Sequence, residues 1–253
     1  RYSVNDDDTI TIEAYTGNSA ELTLPDKIEG KSVQVIGNNA FYGNLNVKKI
    51  SIPNGVTVLG ESAFANCTEL TEVVLPETLN KIDNATFFGC TQLTDISLPD
   101  NITSIGNGAF YYCESLTSIT IPDSVTRISD YAFERCESLT SITIPDSVTS
   151  IGEYAFYGCQ NLSSMVIPDS VIVISDTSFR SSQYPLAFVS LGNGVQHIGA
   201  NSFSGASIQT VTIPDSVTFI GEKAFPSVTK VILKRAAAES IFSQDNPTSL
   251  SGA

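Results

Sequence analysis

The sequence has no tryptophan, one histidine and one methionine, and its 13 basic side chains are outnumbered by 27 acidic ones, which gives a formal net charge of −14. This surplus of negative charge repels phosphate backbones, so nucleic-acid binding is disfavoured. No apolar run approaches the roughly 20 residues that span a bilayer, so we expect no membrane insertion. No signal-peptide pattern begins at Arg1, and we expect a trimmed or mature form whose compartment this absence does not fix.

A 23-residue repeat runs through most of the chain. Its cleanest unit extends from Leu116 to Leu139 and reads L-x-x-I-x-I-P-D-S-V-x-x-I-x-x-x-A-F-x-x-C-x-x-L. A fixed period of this length indicates stacked units, here called rungs, in which equivalent residues form columns along the stack. The phenylalanine of the unit recurs in nine rungs, at Phe41, Phe64, Phe87, Phe110, Phe133, Phe156, Phe179, Phe203 and Phe225.

Each rung predicts a strand, a turn and a return segment. Residues 118–121 alternate polar and apolar side chains with the period of a strand, and Pro122 ends that strand. Aspartate and serine then suit a turn, after which Val125 and Ile128 point inward again. Residues 132–133 predict a short helical or 3₁₀ segment. One rung cannot bury its apolar face alone, so stability must be shared along the stack.

We expect one repeat domain with two atypical ends. Residues 1–20 predict an N-terminal cap, a β-hairpin whose strands lie at residues 2–4 and 9–15 and whose turn lies at residues 5–8. Residues 21–233 predict the nine-rung solenoid, with a five-residue insertion near residues 29–33 in the first rung. Residues 234–253 leave the pattern and predict a tail or partial cap, with one short helix near residues 236–241.

These residues resemble the BspA-like leucine-rich repeats, 23-residue bacterial repeats with the pattern L-x-x-I-x-I-P-x-x-V-x-x-I-G-x-x-A-F-x-x-C. Residues 139–148 and 151–159 are near-consensus, and the match extends from Leu22 to Leu233. Ser178 and Ser202 depart from the usual alanine without weakening the match. The resemblance implies an α/β, β-rich solenoid. It is a right-handed leucine-rich-repeat superhelix with a parallel concave β-sheet and short helical or 3₁₀ turns on its convex side.

The resemblance also implies a role and a location. Studied members of the family act in adhesion and in recognition of host or bacterial partners, and they are secreted or displayed on the bacterial surface. The family supplies no catalytic residues that could be carried over to this chain.

Two columns raise the question of metal or disulfide chemistry. Five cysteines occupy one column, where other rungs have asparagine, serine or alanine, so we expect free, buried thiols rather than a disulfide framework or a metal site. They are Cys67, Cys90, Cys113, Cys136 and Cys159.

A second column is acidic and follows each proline, which suits turn chemistry, although calcium also takes oxygen ligands. We expect the turn role and no metal. This column consists of Asp26, Asn54, Glu77, Asp100, Asp123, Asp146, Asp169, Asn193 and Asp215.

Two surfaces are candidates for binding. The outward side chains of the concave sheet are small and hydroxylated, and concave solenoid faces are frequent binding surfaces, although such side chains also suit any solvated strand. The candidates there are Ser118, Thr120, Ser141, Thr143 and Ser164. On the convex side, aromatic residues cluster near the buried phenylalanine, and they either bind a partner or cover the core. These are Phe88, Tyr111, Tyr112, Tyr131, Tyr154 and Tyr157.

Catalysis is disfavoured. His197 occupies a variable position filled by Arg127 or Ser150 in other rungs, so it is interpreted as a solvent-facing substitution. No G-x-S-x-G elbow or second histidine supports a serine hydrolase. The glycines that recur at the start of the return segment, such as Gly60 and Gly152, are interpreted as turn glycines rather than a phosphate loop.

Our leading hypothesis is therefore a non-enzymatic, monomeric extracellular binding module without a cofactor, which recognises a host or bacterial protein or glycan. The alternative is a structural spacer that displays another domain, since the central rungs are nearly identical. A hydrolase remains a remote third hypothesis. A specific site should break the regularity of the columns, and the eighth rung, with Tyr184, Pro185, Phe188 and His197, is one place to expect such a break.

Overall fold

The structure is a computed structural model that describes residues 1–181 and 186–234. Over these residues the chain forms short β-strands joined by turns, without a helix, and so with none long and apolar enough to cross a membrane. The predicted helix near residues 236–241, and Tyr184 and Pro185 of the eighth rung, lie outside the described residues. The strands, in chain order, are β1 (Tyr2–Val4), β2 (Ile10–Ile12), β3 (Glu21–Thr23), β4 (Lys27–Ile28), β5 (Lys31–Ile36), β6 (Lys49–Ser51), β7 (Val58–Leu59), β8 (Glu72–Val74), β9 (Lys81–Ile82), β10 (Asp95–Ile96), β11 (Ser104–Ile105), β12 (Ser118–Thr120), β13 (Arg127–Ile128), β14 (Ser141–Thr143), β15 (Ser150–Ile151), β16 (Ser164–Val166), β17 (Val173–Ile174), β18 (Phe188–Ser190), β19 (His197–Ile198), β20 (Thr210–Ile213), β21 (Phe219–Ile220) and β22 (Lys230–Leu233).

The strands of successive rungs fall into two rows. The first row contains β3 and then the even-numbered strands from β6 to β22, and the second row contains the odd-numbered strands from β5 to β21. Equivalent residues of paired rungs lie opposite one another, as Ser118 does with Ser141 and Ile105 with Ile128. This register keeps each inward isoleucine in the core, because a slip of one residue would turn it to solvent. The predicted solenoid of parallel stacked coils is confirmed, while its right-handed sense and concave curvature stay predictions.

The N-terminal segment forms an antiparallel hairpin. β1 pairs with β2, with Tyr2 opposite Ile12, around a turn at residues 5–8. β2 then pairs in parallel with β5, so the hairpin covers the first edge of the second row. β4 and β5 form a second small hairpin around Glu29 and Gly30, both in left-handed conformation, which accommodates the extra residues of the first rung.

The core is built around one continuous stack of phenylalanine rings. From Phe41 to Phe225, rings of successive rungs lie with centroids 4.9 to 5.5 Å apart, and Tyr15 of the N-terminal cap stacks on Phe41 at 5.0 Å. Burying one such side chain contributes about 1.5 to 3 kcal/mol. The stack therefore supplies the same stabilising contact at every junction between rungs, which a single rung could not provide.

The third side of each rung, here called the turn row, corrects one prediction. The expected helical or 3₁₀ segment is wrong, because the backbone N–H groups of residues 131–135 alternate between two kinds of acceptor. Phe133 and Arg135 donate to carbonyl groups of the following rung at 2.9 and 2.7 Å, whereas Glu134 donates to Tyr131 within its own rung at 3.1 Å. Tyr131 and Arg135 have positive φ angles of 59° and 54°, which a right-handed helix does not allow. Backbone hydrogen bonds between rungs therefore take the place of the hydrogen bonds along a helix.

The recurring glycines at the start of the turn row have a spatial role rather than a conformational one. Gly152 has an ordinary φ, yet a Cβ atom placed on it would lie 2.7 Å from the backbone nitrogen of Asp130 in the preceding rung. The carboxylate of Asp130 accepts the N–H of Glu153 at 2.9 Å, so the glycine lets the two rungs approach closely enough for this bond. The same pair recurs at every second rung, with Asn38, Asn84 and Asp176 as the acceptors.

Candidate functional site

The aromatic residues predicted for the convex side lie together on the turn row, across four neighbouring rungs. At one end, the ring of Tyr111 contacts Phe88 edge to face at a centroid distance of 5.2 Å and stacks on Tyr112 at 4.5 Å. Phe88 also meets Tyr112 edge-on at 6.3 Å. These three rings form one half of a continuous surface.

The other half continues directly from Tyr111. Tyr131 lies 6.4 Å from Tyr111 and stacks on Tyr154 at 5.1 Å with ring planes 8° apart. Tyr157 meets Tyr154 edge to face at 5.7 Å. The structure thus brings together all six aromatic residues that the sequence singled out, and we call this surface the aromatic strip: Phe88, Tyr111, Tyr112, Tyr131, Tyr154 and Tyr157.

Two charged residues belong to the same surface, although the sequence pattern did not single them out. The guanidinium carbon of Arg135 lies 5.3 Å from the ring centroid of Tyr112 and 5.9 Å from that of Tyr157, so this cation interacts with a ring from each neighbouring rung. Glu134 is buried, and the hydroxyl of Tyr111 donates a hydrogen bond to its carboxylate. The sequence did contain a signal for these two residues, because they form a Glu-Arg pair at positions where the adjacent rungs have Tyr-Tyr and Tyr-Gly.

The backbone under the aromatic strip is strained. Tyr112, Tyr131, Tyr154 and Arg135 have φ angles between 54° and 59°, in the left-handed region. For residues with a Cβ atom this conformation costs roughly 1 to 2 kcal/mol, and bulky residues rarely adopt it. Other rungs place glycine at the position of Tyr112 and Arg135, as in Gly43, Gly89, Gly158 and Gly205. Tyr112 and Arg135 therefore occupy a position that is mostly glycine, whereas the position of Tyr131 and Tyr154 is left-handed in every rung and usually holds a residue other than glycine.

Burial and negative charge perturb the ionisable groups of the strip. Burial raises the pKa of the Glu134 carboxyl above its usual value, and the hydrogen bond from Tyr111 partly offsets that shift. Burial, together with the charge of Glu134, raises the pKa of Tyr111 to about 12. The pKa of Tyr131 is also raised, first by burial and then by the nearby carboxylate of Glu153. The hydroxyls of Tyr111 and Tyr131 are therefore neutral hydrogen-bond donors at any physiological pH.

The predicted concave candidates lie on the outward face of the first row and are exposed. Ser118 lies opposite Ser141 and Thr120 opposite Thr143, while Ser164 lies opposite Phe188. None of these five residues lines the groove that the same face forms elsewhere. A groove of about 730 Å³ lies instead at the N-terminal end of the same face, over β6, β8 and β10. Glu72 and Asp95 replace the small hydroxylated residues at that end of the column, and the repeat pattern did not predict the groove.

Comparison with known proteins identifies the repeat. A family model described as a BspA type leucine rich repeat region matches six copies, over residues 10–120 and 103–232. The chain belongs to the BspA-type leucine-rich repeat family. This confirms the resemblance drawn from the repeat pattern.

Solved structures agree with this assignment. A leucine-rich cell surface protein from Faecalibacterium prausnitzii A2-165 is 25% identical, with a TM-score of 0.67 over 97% of this chain and 96% of that one. The leucine-rich repeat protein TpLRR from T. pallidum is 30% identical, with a TM-score of 0.55 over 64% of this chain and 87% of that one. The pneumococcal vaccine antigen PcpA, 19% identical with a TM-score of 0.52 over 88% and 74%, shares the fold. No curated protein matches the chain.

The cysteine column of the BspA-type rungs is a ladder of buried, free thiols. The Sγ–H of Cys113 donates to the carbonyl oxygen of Phe87 at 3.2 Å, and the other four thiols make the equivalent bond at 3.0 to 3.2 Å. Burial raises the pKa of all five thiols, to about 12 for Cys67 and Cys159. These protonated thiols satisfy backbone carbonyls and have no access to reactants.

The acidic column is exposed along the BspA-type rungs and begins each turn. The carbonyl of Pro122 accepts the N–H of Val125 at 3.0 Å, so Asp123 lies inside a turn, as the sequence predicted. No group of three or more acidic, cysteine or histidine side chains suited to a metal ion occurs in residues 1–181 and 186–234. His197 is half-buried, and its ring stacks on Phe219 at 4.4 Å, so it is packed rather than simply solvent-facing.

Proposed function

We propose that this protein is a non-enzymatic extracellular binding module of a bacterial surface or secreted protein, and that it recognises a protein partner through the aromatic strip. One observation carries the proposal. Tyr112 and Arg135 occupy left-handed backbone positions that Gly43, Gly89, Gly158 and Gly205 fill in other rungs, so two large side chains stand there at a cost in stability that glycine avoids. Such a cost is retained where side chains serve binding, and tyrosine and arginine are the residues enriched in binding hot spots.

A protein partner is favoured over a glycan by the arrangement of the rings. Tyr111 stacks on Tyr112 and Tyr131 stacks on Tyr154, so each of these four rings has at most one face free. A sugar stacks on an open aromatic face, and the paired rings offer few such faces, whereas a protein interface also uses ring edges and hydroxyl groups. The lack of tryptophan further disfavours a carbohydrate platform.

The extracellular location rests on the family and its neighbours. The related protein of Faecalibacterium prausnitzii is described as a cell surface protein, and it aligns over nearly the whole of both chains. The strong acidity of the present chain, with a net charge of −14, suits a surface that stays soluble and selects its partners.

The alternative function is a spacer that displays another domain. It is favoured by the uninterrupted ring stack from Phe41 to Phe225, which makes the molecule a regular rod-like support whatever its surface does. The two functions differ in what mutation of the strip should change.

Binding of the purified protein to a panel of extracellular matrix proteins, mucins and glycans, measured at physiological salt, tests the proposal. The strip variant is Tyr131→Gly with Arg135→Gly, which should still fold because Gly108 and Gly89 occupy the same positions in other rungs. Loss of hot-spot residues should weaken a protein complex about 30-fold or more. Tyr42→Ala is the matched control, since Tyr42 is 59% exposed on the same row but outside the strip, and it should change affinity less than twofold.

Other outcomes would redirect the assignment. A hit that is abolished by Ser141→Arg and unaffected by the strip variant moves the site to the outward face of the first row. A glycan ligand lost in the strip variant replaces the protein partner with a sugar. Silence across the panel from a folded protein favours the spacer.

A further inference from the structure

The groove over β6, β8 and β10 is a second surface shaped to receive a ligand, on a different side from the aromatic strip. It has a volume of about 730 Å³ and is lined by Lys49 of β6, by β8 and β10, and by the turns that follow β8 and β10. Val74 lies within it and is 51% exposed. An apolar contact is thus available at the centre of the groove.

Carboxylates line the groove at both ends. At the start of the strands, Glu72 lies opposite Asp95, and Lys49 forms an ion pair with Glu72 at 2.8 Å. Five residues farther along each rung come Glu77 and Asp100, in neighbouring rungs of the acidic column. At about 3.3 Å per residue, the two carboxylate pairs lie roughly 15 Å apart.

Most of this negative charge is not compensated. In the described ranges 1–181 and 186–234, Asp95, Glu77 and Asp100 form no ion pair, and Lys49 is the one basic residue that lines the groove. The separation of the two carboxylate pairs is too large for one ion to bridge, and no metal-binding group is formed there by the described residues. The complementary ligand is an elongated cation.

The charge of the groove does not continue along the first row. The outward residues of the next strand, β12, are Ser118 and Thr120, which are small and uncharged. In this direction the charged lining therefore ends at β10.

We infer that this groove binds an extended basic segment of a partner protein, with lysine or arginine at two positions five residues apart and an apolar residue between them. The two basic side chains meet the Glu72–Asp95 and Glu77–Asp100 pairs, and the apolar residue contacts Val74. An extended segment matches the rise of the strands beneath it, so its charges keep the spacing of the carboxylates. This inference does not depend on the aromatic strip.

Fluorescence anisotropy with a labelled hexapeptide, in which lysines occupy the first and last positions and valine the third, tests the inference at low salt. The groove variant is Asp95→Asn with Asp100→Asn, and the matched control is Asp123→Asn with Asp146→Asn, which removes the same charge from rungs outside the groove. Loss of two ion pairs should weaken binding about tenfold in the groove variant. The control should weaken binding less than twofold, and the strip variant not at all.

Three results would overturn the inference. Equal weakening by both double variants would mean that the peptide senses net charge alone. Binding that is unchanged when the two lysines are placed side by side would remove the spacing argument. Spermine that binds as tightly as the peptide, with the same loss in the groove variant, would replace the protein segment with a small polyamine.

Discussion

The inward columns repeat the same residue types from rung to rung, whereas the other positions of the turn row change at nearly every rung. Phe110, Phe133 and Phe156 stack with 5.5 Å between centroids, and their environments are interchangeable. The next residues along the chain are Tyr111, Glu134 and Tyr157, which differ in charge and contacts. The buried phenylalanine positions therefore maintain the stack of rungs, whereas the positions that follow them do not.

This difference shows which positions the fold constrains and which it leaves free to vary. An inward side chain must fit between two neighbours of the same kind, so any departure disturbs two interfaces at once. A side chain on the turn row projects from a backbone already fixed by bonds between rungs, such as the one from Phe133 to the following rung. The turn row can therefore change without loss of the fold, and it can hold strained residues.

The largest expected contrast is between Phe133→Ala and Tyr131→Ala, two residues apart. Phe133 is fully buried between two rings, and its removal should lower the free energy of unfolding by about 3 to 5 kcal/mol. Tyr131 is 39% exposed, and its removal should lower the free energy of unfolding by less than about 1 kcal/mol. Urea unfolding followed by circular dichroism measures both values. An equal decrease in the free energy of unfolding for both variants would contradict the distinction between the buried stack and the exposed residues of the turn row.

A second contrast concerns the thiol ladder and alkaline pH. The buried thiols have raised pKa values in the folded chain, about 12 for Cys67 and Cys159 against an ordinary 9.0, because burial disfavours the thiolate. Their contribution to stability is complete below pH 9 and is lost as the pH rises toward 12, by up to about 1.4 kcal/mol per pH unit for each thiol.

Replacing one cysteine of the ladder tests this pH dependence. Cys113→Ala should lower stability by about 1 kcal/mol at pH 7, through the lost hydrogen bond to Phe87 and the lost volume. Between pH 9 and 11 the free energy of unfolding of the variant should fall less steeply with pH than that of the parent. The difference in slope should correspond to the ionisation of one thiol. Parallel slopes in urea unfolding at pH 9, 10 and 11 would show that the thiol ionises equally well in the folded chain.

The architecture was predictable because the repeat multiplies a weak signal. One strand of three residues would be ambiguous, but the alternation at residues 118–121 recurs in rung after rung and fixes which side chains point inward. The turn row was not predictable in the same way, because Ala132 favours a helix by propensity. The decisive signal was the column of Gly43, Gly89, Gly158 and Gly205, which marks a left-handed position.

The sequence predicted which aromatic residues form the candidate site, but not how they are arranged. Sequence spacing indicated the six aromatic residues, since each stands at a fixed distance from a buried phenylalanine. The position of Arg135 between Tyr112 and Tyr157 depends on contacts between three rungs, which spacing alone does not give. The groove escaped prediction for the same reason, because Glu72, Val74 and Asp95 form a cavity only through the shape of the sheet.

The smallest expected effect has the most informative sign. Ala85 has a φ of 51° on the turn row, so Ala85→Gly should raise the free energy of unfolding by about 0.5 to 1 kcal/mol, since glycine adopts this conformation without steric penalty. A helical turn row would give the opposite sign, because glycine destabilises a helix interior by roughly the same amount. Ala63→Gly, at a buried turn-row position with ordinary φ, should be destabilising and serves as the control. If both substitutions destabilise the protein in urea unfolding, the left-handed turns and the strain argument for the aromatic strip fail together.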